Sequence, residues 1–222
     1  MQKAITDSDT YKYLLFLPNN YGTRGKWPAI LFLHGVGGNG NYLEILKANG
    51  LPKLLEEHED FPFIVISPQC PEGEDWSPEK LGKLIDRAVQ DYRIDTDRIY
   101  LTGIHTGGSA AWDLAMAQPD RFAAIAPVCG GGKPQEVCYL RDIPVWIFHA
   151  AGDRIVPVSE AQSLVLALKL CGGNVTSTFY PQSDVEYLTT TYENPGLYAW
   201  FLQHSKSGFH EPAFDPVAED LD

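Results

Sequence analysis

Residues 100–108, Tyr100-Leu101-Thr102-Gly103-Ile104-His105-Thr106-Gly107-Gly108, decide the fold. The run begins with apolar, β-prone residues and continues into a helix-forming segment, with a turn between them. Glycines stand two residues before and two residues after His105. The pattern therefore predicts a buried strand, a sharp turn with His105 at its apex, and a helix that starts immediately afterwards.

Strand and helix patterns alternate on both sides of this segment. The predicted strands end at His34, Pro68, Gly103, Val128, Ala150 and Tyr180. Such alternation is typical of an α/β fold with a mainly parallel sheet and helices on both faces. Residues 11–17 are predicted to form an edge strand, and residues 42–57 a helix interrupted near Gly50. We expect one domain over residues 1–204, without a large lid, and an acidic C-terminal tail over residues 205–222.

Composition excludes several classes of function. The 222 residues carry a net charge of −12, so no basic surplus favours nucleic acid or an anionic membrane. The apolar run 61–66 is far too short to span a bilayer, and residues 1–10 lack a secretory leader pattern. These features predict a cytoplasmic protein without cofactors. The four cysteines show no zinc-site spacing, so most are expected as buried thiols, with a Cys129–Cys138 bridge left open.

A glycine-rich loop, His34-Gly35-Val36-Gly37-Gly38-Asn39-Gly40, follows the first buried strand. Glycines at such a place let backbone N–H groups turn toward an oxyanion, which makes Val36 a candidate donor. The loop also fits G-x-G-x-x-G, but the next strand ends without the acidic residue that a dinucleotide site expects. A purely structural turn is the remaining alternative.

The turn around His105 has the spacing of a nucleophile elbow, in which small flanking residues let a strained apex residue project over the sheet. The usual motif, G-x-S-x-G, has serine at the apex. Histidine occupies that position here, and an ordinary serine hydrolase cannot act without the hydroxyl. The N–H of Thr106, at the start of the predicted helix, is the second candidate oxyanion donor.

Several segments resemble one known family. They are Asp97–Gly103, Gly107-Gly108, Trp112–Ala115, Pro119–Ala124, Pro127–Gly132 and Ile143–His149. Together, over about residues 13–204, they are similar to the carboxylesterase, dienelactone-hydrolase and polyhydroxyalkanoate-depolymerase-like branch of the α/β-hydrolase superfamily. The resemblance implies the α/β-hydrolase fold and an ester- or carbonyl-containing small molecule as ligand.

The resemblance also implies positions for the other catalytic residues. The acid falls on Asp153, for which a structural turn aspartate is the simpler alternative. The family's catalytic histidine falls at Val185, between Asp184 and Glu186, and no histidine lies between His149 and His204. The expected pocket is completed by His34, Gly35, Gly37, Trp76, Asp184 and Glu186.

Two roles for His105 stay open at this stage. The small Val185 leaves room for His105 to pair with Asp153 as a general base, or the ring simply fills the vacated site. A metal held by His105 with Asp153, Asp184 or Glu186 has no spacing signature, so no metal is expected. The first hypothesis is a non-hydrolytic pseudoenzyme that binds a small molecule or a partner. The alternatives are a repurposed lyase-type or proton-transfer enzyme that uses the dyad, and a residual carboxylesterase.

Overall fold

A computed structural model describes residues 1–6, 9–23, 25–181 and 186–209, with the backbone alone for 186–189 and 209. The strands are β1 Lys3–Ile5, β2 Tyr13–Phe16, β3 Trp27–Leu33, β4 Ile64–Pro68, β5 Ile94–Ile104, β6 Ala124–Val128, β7 Val145–Ala150, β8 Val175–Tyr180, β9 His204–Ser205 and β10 Gly208–Phe209. The helices are α1 Gly50–Glu57, α2 Pro78–Asp91, α3 Thr106–Ala117, α4 Val158–Leu170, α5 Glu186–Glu193 and α6 Pro195–Leu202.

Eight strands form one twisted sheet in the order β1-β2-β4-β3-β5-β6-β7-β8. The strands from β4 to β8 in this order are parallel, whereas β2 runs antiparallel to both of its neighbours. The predicted α/β fold is therefore confirmed. The edge position predicted for residues 11–17 is wrong, because β1 pairs with the outer side of β2. The three residues of β1 are too few to show a strand period in the sequence.

Helices cover both faces of the sheet. On one face, apolar residues of α2, α3 and α4 pack on the sheet, with Trp112 fully buried among them. On the other face, α1, α5 and α6 do the same around Phe32, Tyr192 and Phe201. Burial on both faces explains why the central strands appear in the sequence as continuous apolar runs rather than as alternating ones.

The predicted interruption near Gly50 divides residues 42–57 into a 3-10 helix, Leu43–Ala48, and α1. Gly50 has φ +62°, and a Cβ there would overlap the ring of Phe32. Only glycine accepts this backbone shape without strain and leaves room for the aromatic ring. The break therefore brings α1 against the sheet.

The carboxyl ends of the central strands lie side by side. Leu33 is in register with Gly103, Ile104 with Val128, and Val128 with Phe148. Residues that follow β3, β5, β6 and β7 consequently meet at one edge of the sheet, where ligands bind in open α/β folds.

A disulfide joins Cys138 and Cys171, with their Cα atoms 5.6 Å apart. The Cys129–Cys138 bridge left open by the sequence is therefore wrong. Most of the four cysteines were expected to be buried thiols, and this holds for two of them, Cys70 and Cys129, which are buried and form no disulfide.

The C-terminal part of the described chain is a short antiparallel hairpin of β9 and β10. The N–H of Lys206 donates to the carbonyl of Asp97, so the hairpin is joined to the start of the long strand β5. Residues 205–209 of the predicted tail thus contact the domain, and residues 210–222 lie outside the described residues. No helix among the described residues is both long and apolar enough to cross a membrane.

Candidate functional site

His105 stands at the apex between β5 and α3. Its backbone has φ 49° and ψ −113°, a conformation that side-chain-bearing residues rarely adopt. The strain is held by the surrounding structure: the N–H of His105 donates to the carbonyl of Val128 at 3.0 Å, and its own carbonyl accepts from the N–H of Ser109. The backbone of the chain therefore builds a nucleophile elbow, with an imidazole as the projecting group.

The turn is so tight that position 107 has no room for a side chain. A Cβ on Gly107 would overlap the backbone carbonyls of Leu33 and His34. The helix that follows His105 can approach the end of β3 only because that Cβ is missing. This close approach sets the elbow beside the glycine-rich loop that begins at His34.

Asp153 lies next to His105. Its Oδ2 atom is 3.6 Å from Nε2 of His105, and its side chain is only 3% exposed. The other oxygen, Oδ1, accepts the backbone N–H groups of Ile155 at 2.8 Å and Val156 at 3.0 Å. These two bonds fix the carboxylate, so that the remaining oxygen faces the imidazole.

Cys129 completes the group, although the sequence indicated no more for it than a buried thiol or a bridge to Cys138. It follows β6, is fully buried, and has φ 50°. Its thiol hydrogen-bonds to Asp153, and its sulfur accepts the N–H of Ala150 at 3.4 Å. One ligand atom each from His105, Cys129 and Asp153 lies within 4.8 Å of the other two. The adjacency of β5, β6 and β7 is the signal that places these residues together.

The electrostatics of the site favour a neutral ring and a charged carboxylate. Burial lowers the pKa of His105, and nearby His149 adds to this, although the Asp153 carboxylate opposes it. For Asp153, burial acts to raise the pKa. The N–H groups of Val156 and Ile155, the Cys129 thiol and His105 together outweigh burial, so that the pKa of Asp153 is lowered. The pair therefore holds a neutral imidazole against a carboxylate near neutral pH.

The glycine-rich loop is fastened by two side chains. The N–H of Cys70 donates to Nε2 of His34 at 3.0 Å, which leaves the ring proton on Nδ1 to be donated to the carbonyl of Gly35 at 2.8 Å. Burial also lowers the pKa of His34, which agrees with a neutral ring. Gln69, which the sequence did not single out, donates from Nε2 to the carbonyls of Gly38 at 2.9 Å and Tyr42 at 3.1 Å. The loop is thus built around a fixed backbone shape.

A cavity of about 170 Å³ separates this loop from the elbow. Its lining contains the following residues: Phe32, His34, Gly35, Val36, Gly37, Gly38, Ile45, Leu46, Asn49, Ile104 and His105. Thr106 is the first residue of α3, so its N–H has no partner within the helix. Val36, one predicted oxyanion donor, lines the cavity, and Thr106, the other, directly follows the lining residue His105.

Trp76 lies outside this cavity. Its ring packs on those of His34, at 4.8 Å between centroids, and Tyr11, at 5.3 Å. It lines a neighbouring cavity of about 330 Å³, together with Thr106 and Ser109. Trp76 therefore supports the His34 side of the loop and borders a second space next to the elbow.

The remaining predicted site residues come from one short segment. Asp184 and Val185 lie outside the described residues. Glu186 begins α5, and nothing is described of its side chain. Their predicted places in the site stay predictions.

Comparisons with known proteins agree with this fold. The chain is 31% identical to a thermostable esterase of known structure, with a TM-score of 0.77 over 92% of this chain and 63% of that one. It is 25% identical over 202 residues to a bifunctional acetylxylan esterase/xylanase of Neocallimastix patriciarum, and 24% identical over 173 residues to a probable feruloyl esterase C of Aspergillus terreus. No family model matches the chain.

The fold, the elbow and these relatives together decide the family. The chain belongs to the carboxylesterase-like branch of the α/β-hydrolase superfamily. A dienelactone hydrolase structure from Klebsiella pneumoniae, 17% identical with a TM-score of 0.67, shares the fold over 91% of this chain and 98% of its own.

This α/β-hydrolase matches only part of its curated relatives. The match with the acetylxylan esterase/xylanase covers 84% of this chain and 27% of that protein. The match with the feruloyl esterase covers 71% of this chain and 60% of that protein. What the match shares is the α/β-hydrolase domain. Within that domain, the elbow of this chain offers an imidazole nitrogen where G-x-S-x-G offers a hydroxyl.

Proposed function

We propose that this α/β-hydrolase binds a small ester- or carbonyl-containing molecule in the cavity between the glycine-rich loop and His105, without forming an acyl-enzyme. The ligand's carbonyl oxygen is received by the N–H groups of Val36 and Thr106. Both are backbone donors, and neither needs a serine to be present.

The observation that carries this proposal is the position of His105. Its ring lines the cavity and stands at the strained apex of the elbow. Acyl transfer needs a nucleophile that is regenerated by a neighbouring base. Here the apex carries the base-type group itself, and among the residues that the structure describes the acid that contacts it is Asp153. The cavity and the loop therefore support recognition of a carbonyl group, whereas the apex does not support the serine reaction.

A second candidate function rests on the 3.6 Å contact between His105 and Asp153. A neutral imidazole oriented by a carboxylate can act as a general base, and such contacts often tighten only when substrate binds. In that role His105 removes a proton from water or from the carbon next to a bound carbonyl. This is the repurposed enzyme expected as an alternative from the sequence, and atypical ester hydrolysis falls within it.

One set of assays separates these functions. A fluorophosphonate probe should leave the wild-type protein unlabelled, since no serine stands at the apex. Binding of methyl butyrate without its consumption supports the first proposal. Consumption that His105→Ala abolishes supports the dyad, and consumption that His105→Ala leaves intact supports residual esterase activity by another route.

A paired substitution tests the ancestry of the site. His105→Ser together with Val185→His restores the residues that the family resemblance implies. Esterase activity and fluorophosphonate labelling in the double variant, but not in His105→Ser alone, support the assignment of Val185. Inactivity of a correctly folded double variant counts against it.

The size of the cavity suggests the class of ligand. A space of about 170 Å³ holds a short acyl group and not a long chain. The names of the relatives, an acetylxylan esterase and a feruloyl esterase, give an acetyl ester and an aromatic acyl ester as the two probes to compare. We propose the short acyl group as the better fit to this cavity.

The cellular compartment in which the protein acts is a separate question. The cytoplasmic localisation expected from the sequence stays a prediction. The Cys138–Cys171 disulfide weighs against it, because such bonds persist mainly in oxidising compartments.

A further inference from the structure

We propose that His105, Cys129 and Asp153 form a binding site for a divalent transition metal of the zinc class. This goes beyond carbonyl binding, because the ligand is a metal ion and the site uses Cys129, which the proposed function does not. The three residues follow three neighbouring strands, β5, β6 and β7. They offer one nitrogen, one sulfur and one oxygen within 4.8 Å of one another.

The distances suit a single ion. Around a tetrahedral zinc, with bonds of 2.0 to 2.3 Å, neighbouring ligand atoms lie about 3.5 Å apart. Nε2 of His105 and Oδ2 of Asp153 already stand at 3.6 Å. No two of the three ligand atoms are more than 4.8 Å apart, which exceeds the ideal value by about 1.3 Å at most and is within the reach of small side-chain rotations.

The surroundings orient the ligand atoms. Two backbone N–H groups hold Oδ1 of Asp153, and Oδ2 faces the imidazole. The Cys129 thiol hydrogen-bonds to the same carboxylate. Such outer bonds to a ligating carboxylate are a regular feature of metal sites. Cys129 and His105 are also the two non-glycine residues with positive φ among those described. Backbone strain of this kind concentrates at functional sites.

The donor types select the metal. A thiolate, an imidazole and a carboxylate are all good zinc ligands, whereas Mg²⁺ and Ca²⁺ prefer oxygen alone. Binding converts the Cys129 thiol to a thiolate with release of its proton. The two resulting negative charges are matched by the two positive charges of the ion, in a place where Cys129 is fully buried and the Asp153 side chain is 3% exposed.

Three protein ligands leave one tetrahedral position for water or a ligand, as in catalytic rather than structural zinc sites. Because His105 also lines the cavity, a metal held here lies next to the space for a carbonyl group. The buried ligands imply that an ion enters past His105, so loading should be slow in the folded protein.

Cobalt gives the direct test, because Co²⁺ replaces Zn²⁺ and reports a thiolate ligand through its ultraviolet charge-transfer absorption. The disulfide-intact protein is treated with a chelator, refolded with Co²⁺ and desalted. The expected result is one tightly bound Co²⁺ per chain with a thiolate-to-cobalt band, and loss of the band when Zn²⁺ displaces it.

Variants assign the site. Cys129→Ser should remove the band, and Cys70→Ser, which changes the other buried free thiol, should retain it. His58→Asn controls for binding by an exposed histidine. Asp153→Asn should lower cobalt affinity at least tenfold, and circular dichroism verifies that it folds. If Cys129→Ser does not fold, the stabilisation by Zn²⁺ decides the matter, since it should be smaller in folded Asp153→Asn than in the wild-type protein.

Failure to retain one equivalent after refolding would overturn the proposal, as would a band that persists in Cys129→Ser or disappears in Cys70→Ser. Wild-type and Asp153→Asn proteins stabilised equally by Zn²⁺ would also overturn it. Carbonyl binding is measured separately, with methyl butyrate and metal-free protein. A negative metal result therefore leaves the proposed function standing, and a negative binding result leaves the metal site standing.

Discussion

Oδ2 of Asp153 lies 3.6 Å from Nε2 of His105, while Oδ1 of the same carboxylate is held by two backbone N–H groups. The residue after β5 and the residue in the loop after β7 thus form a pair in the interior of the chain. The pair explains why a histidine can occupy a strained elbow that usually carries a small hydroxyl residue. The carboxylate orients the ring, and burial keeps the ring neutral.

The first prediction concerns acid sensitivity. Burial lowers the pKa of His105 below its ordinary value of 6.5, so the unfolded chain takes up a proton that the folded chain does not. Stability should therefore fall as the pH falls from about 7.5 to about 5.5. His34 and His204, whose pKa values burial also lowers, act in the same direction. Urea unfolding at several pH values measures the slope.

The contribution of His105 is isolated by His105→Asn, since asparagine tolerates positive φ better than most residues. This variant should show a shallower dependence of unfolding free energy on pH than the wild type. His58→Asn, at an exposed site, should keep the wild-type slope. Parallel curves for wild type and His105→Asn would show that the ring is not held neutral by folding.

A second prediction concerns the close approach of the start of α3 to the end of β3, behind the elbow. Gly107→Ala should lower the free energy of unfolding by roughly 1–3 kcal/mol, because its Cβ meets the carbonyls of Leu33 and His34. Gly22→Ala is the matched control, since a Cβ there has open space around it. Denaturant unfolding of both variants tests the difference. Equal stabilities would mean that the helix does not approach β3 as described.

The third prediction concerns the disulfide. Cys138 and Cys171 are 33 residues apart in sequence, and the entropy of closing such a loop is worth about 3–4 kcal/mol. Replacing both by serine should lower the melting temperature. A reducing agent should destabilise the wild type and leave the double variant unaffected. Titration of two free thiols instead of four in the unreduced, denatured protein verifies the pairing.

The fourth prediction concerns the glycine-rich loop that begins at His34. Gln69→Met removes two hydrogen bonds and leaves the carbonyls of Gly38 and Tyr42 without that donor. The loss should weaken binding of methyl butyrate and destabilise the protein by about 1–3 kcal/mol. Asn39→Ala is the control, because its bonds to Pro71 and Glu74 are long and exposed. Equal affinity in both variants would count against a positioning role for Gln69.

Much of the fold was predictable because the central strands are buried on both faces. Such strands appear as apolar runs, and glycines and prolines mark their ends; the strand end predicted at Val128 is the observed end of β6, which is buried throughout. Helix α5, Glu186–Glu193, was missed, because its two tyrosines and three threonines have weak helix propensity. The order of strands, which places β1 outside β2, depends on pairing that no local pattern encodes.

The candidate site was predictable residue by residue but not as a group. His105 and Asp153 were located from strand ends and family resemblance, and the structure brings them into contact. Cys129 was assigned only burial, since a lone cysteine has no spacing signature. Its proximity to Asp153 follows from the order of strands in the sheet. The disulfide partner of Cys138 was missed for the same reason, because connectivity is a property of the folded chain.

The most direct test of the central claim is an amide NMR titration of the metal-free protein with methyl butyrate, in which the ester's own signals are followed in the same sample. We expect saturable shifts concentrated at the N–H groups of Val36 and Thr106, with the ester unchanged. Shifts that are absent from both residues, or an ester consumed through a covalent acyl adduct on the protein, would contradict the claim.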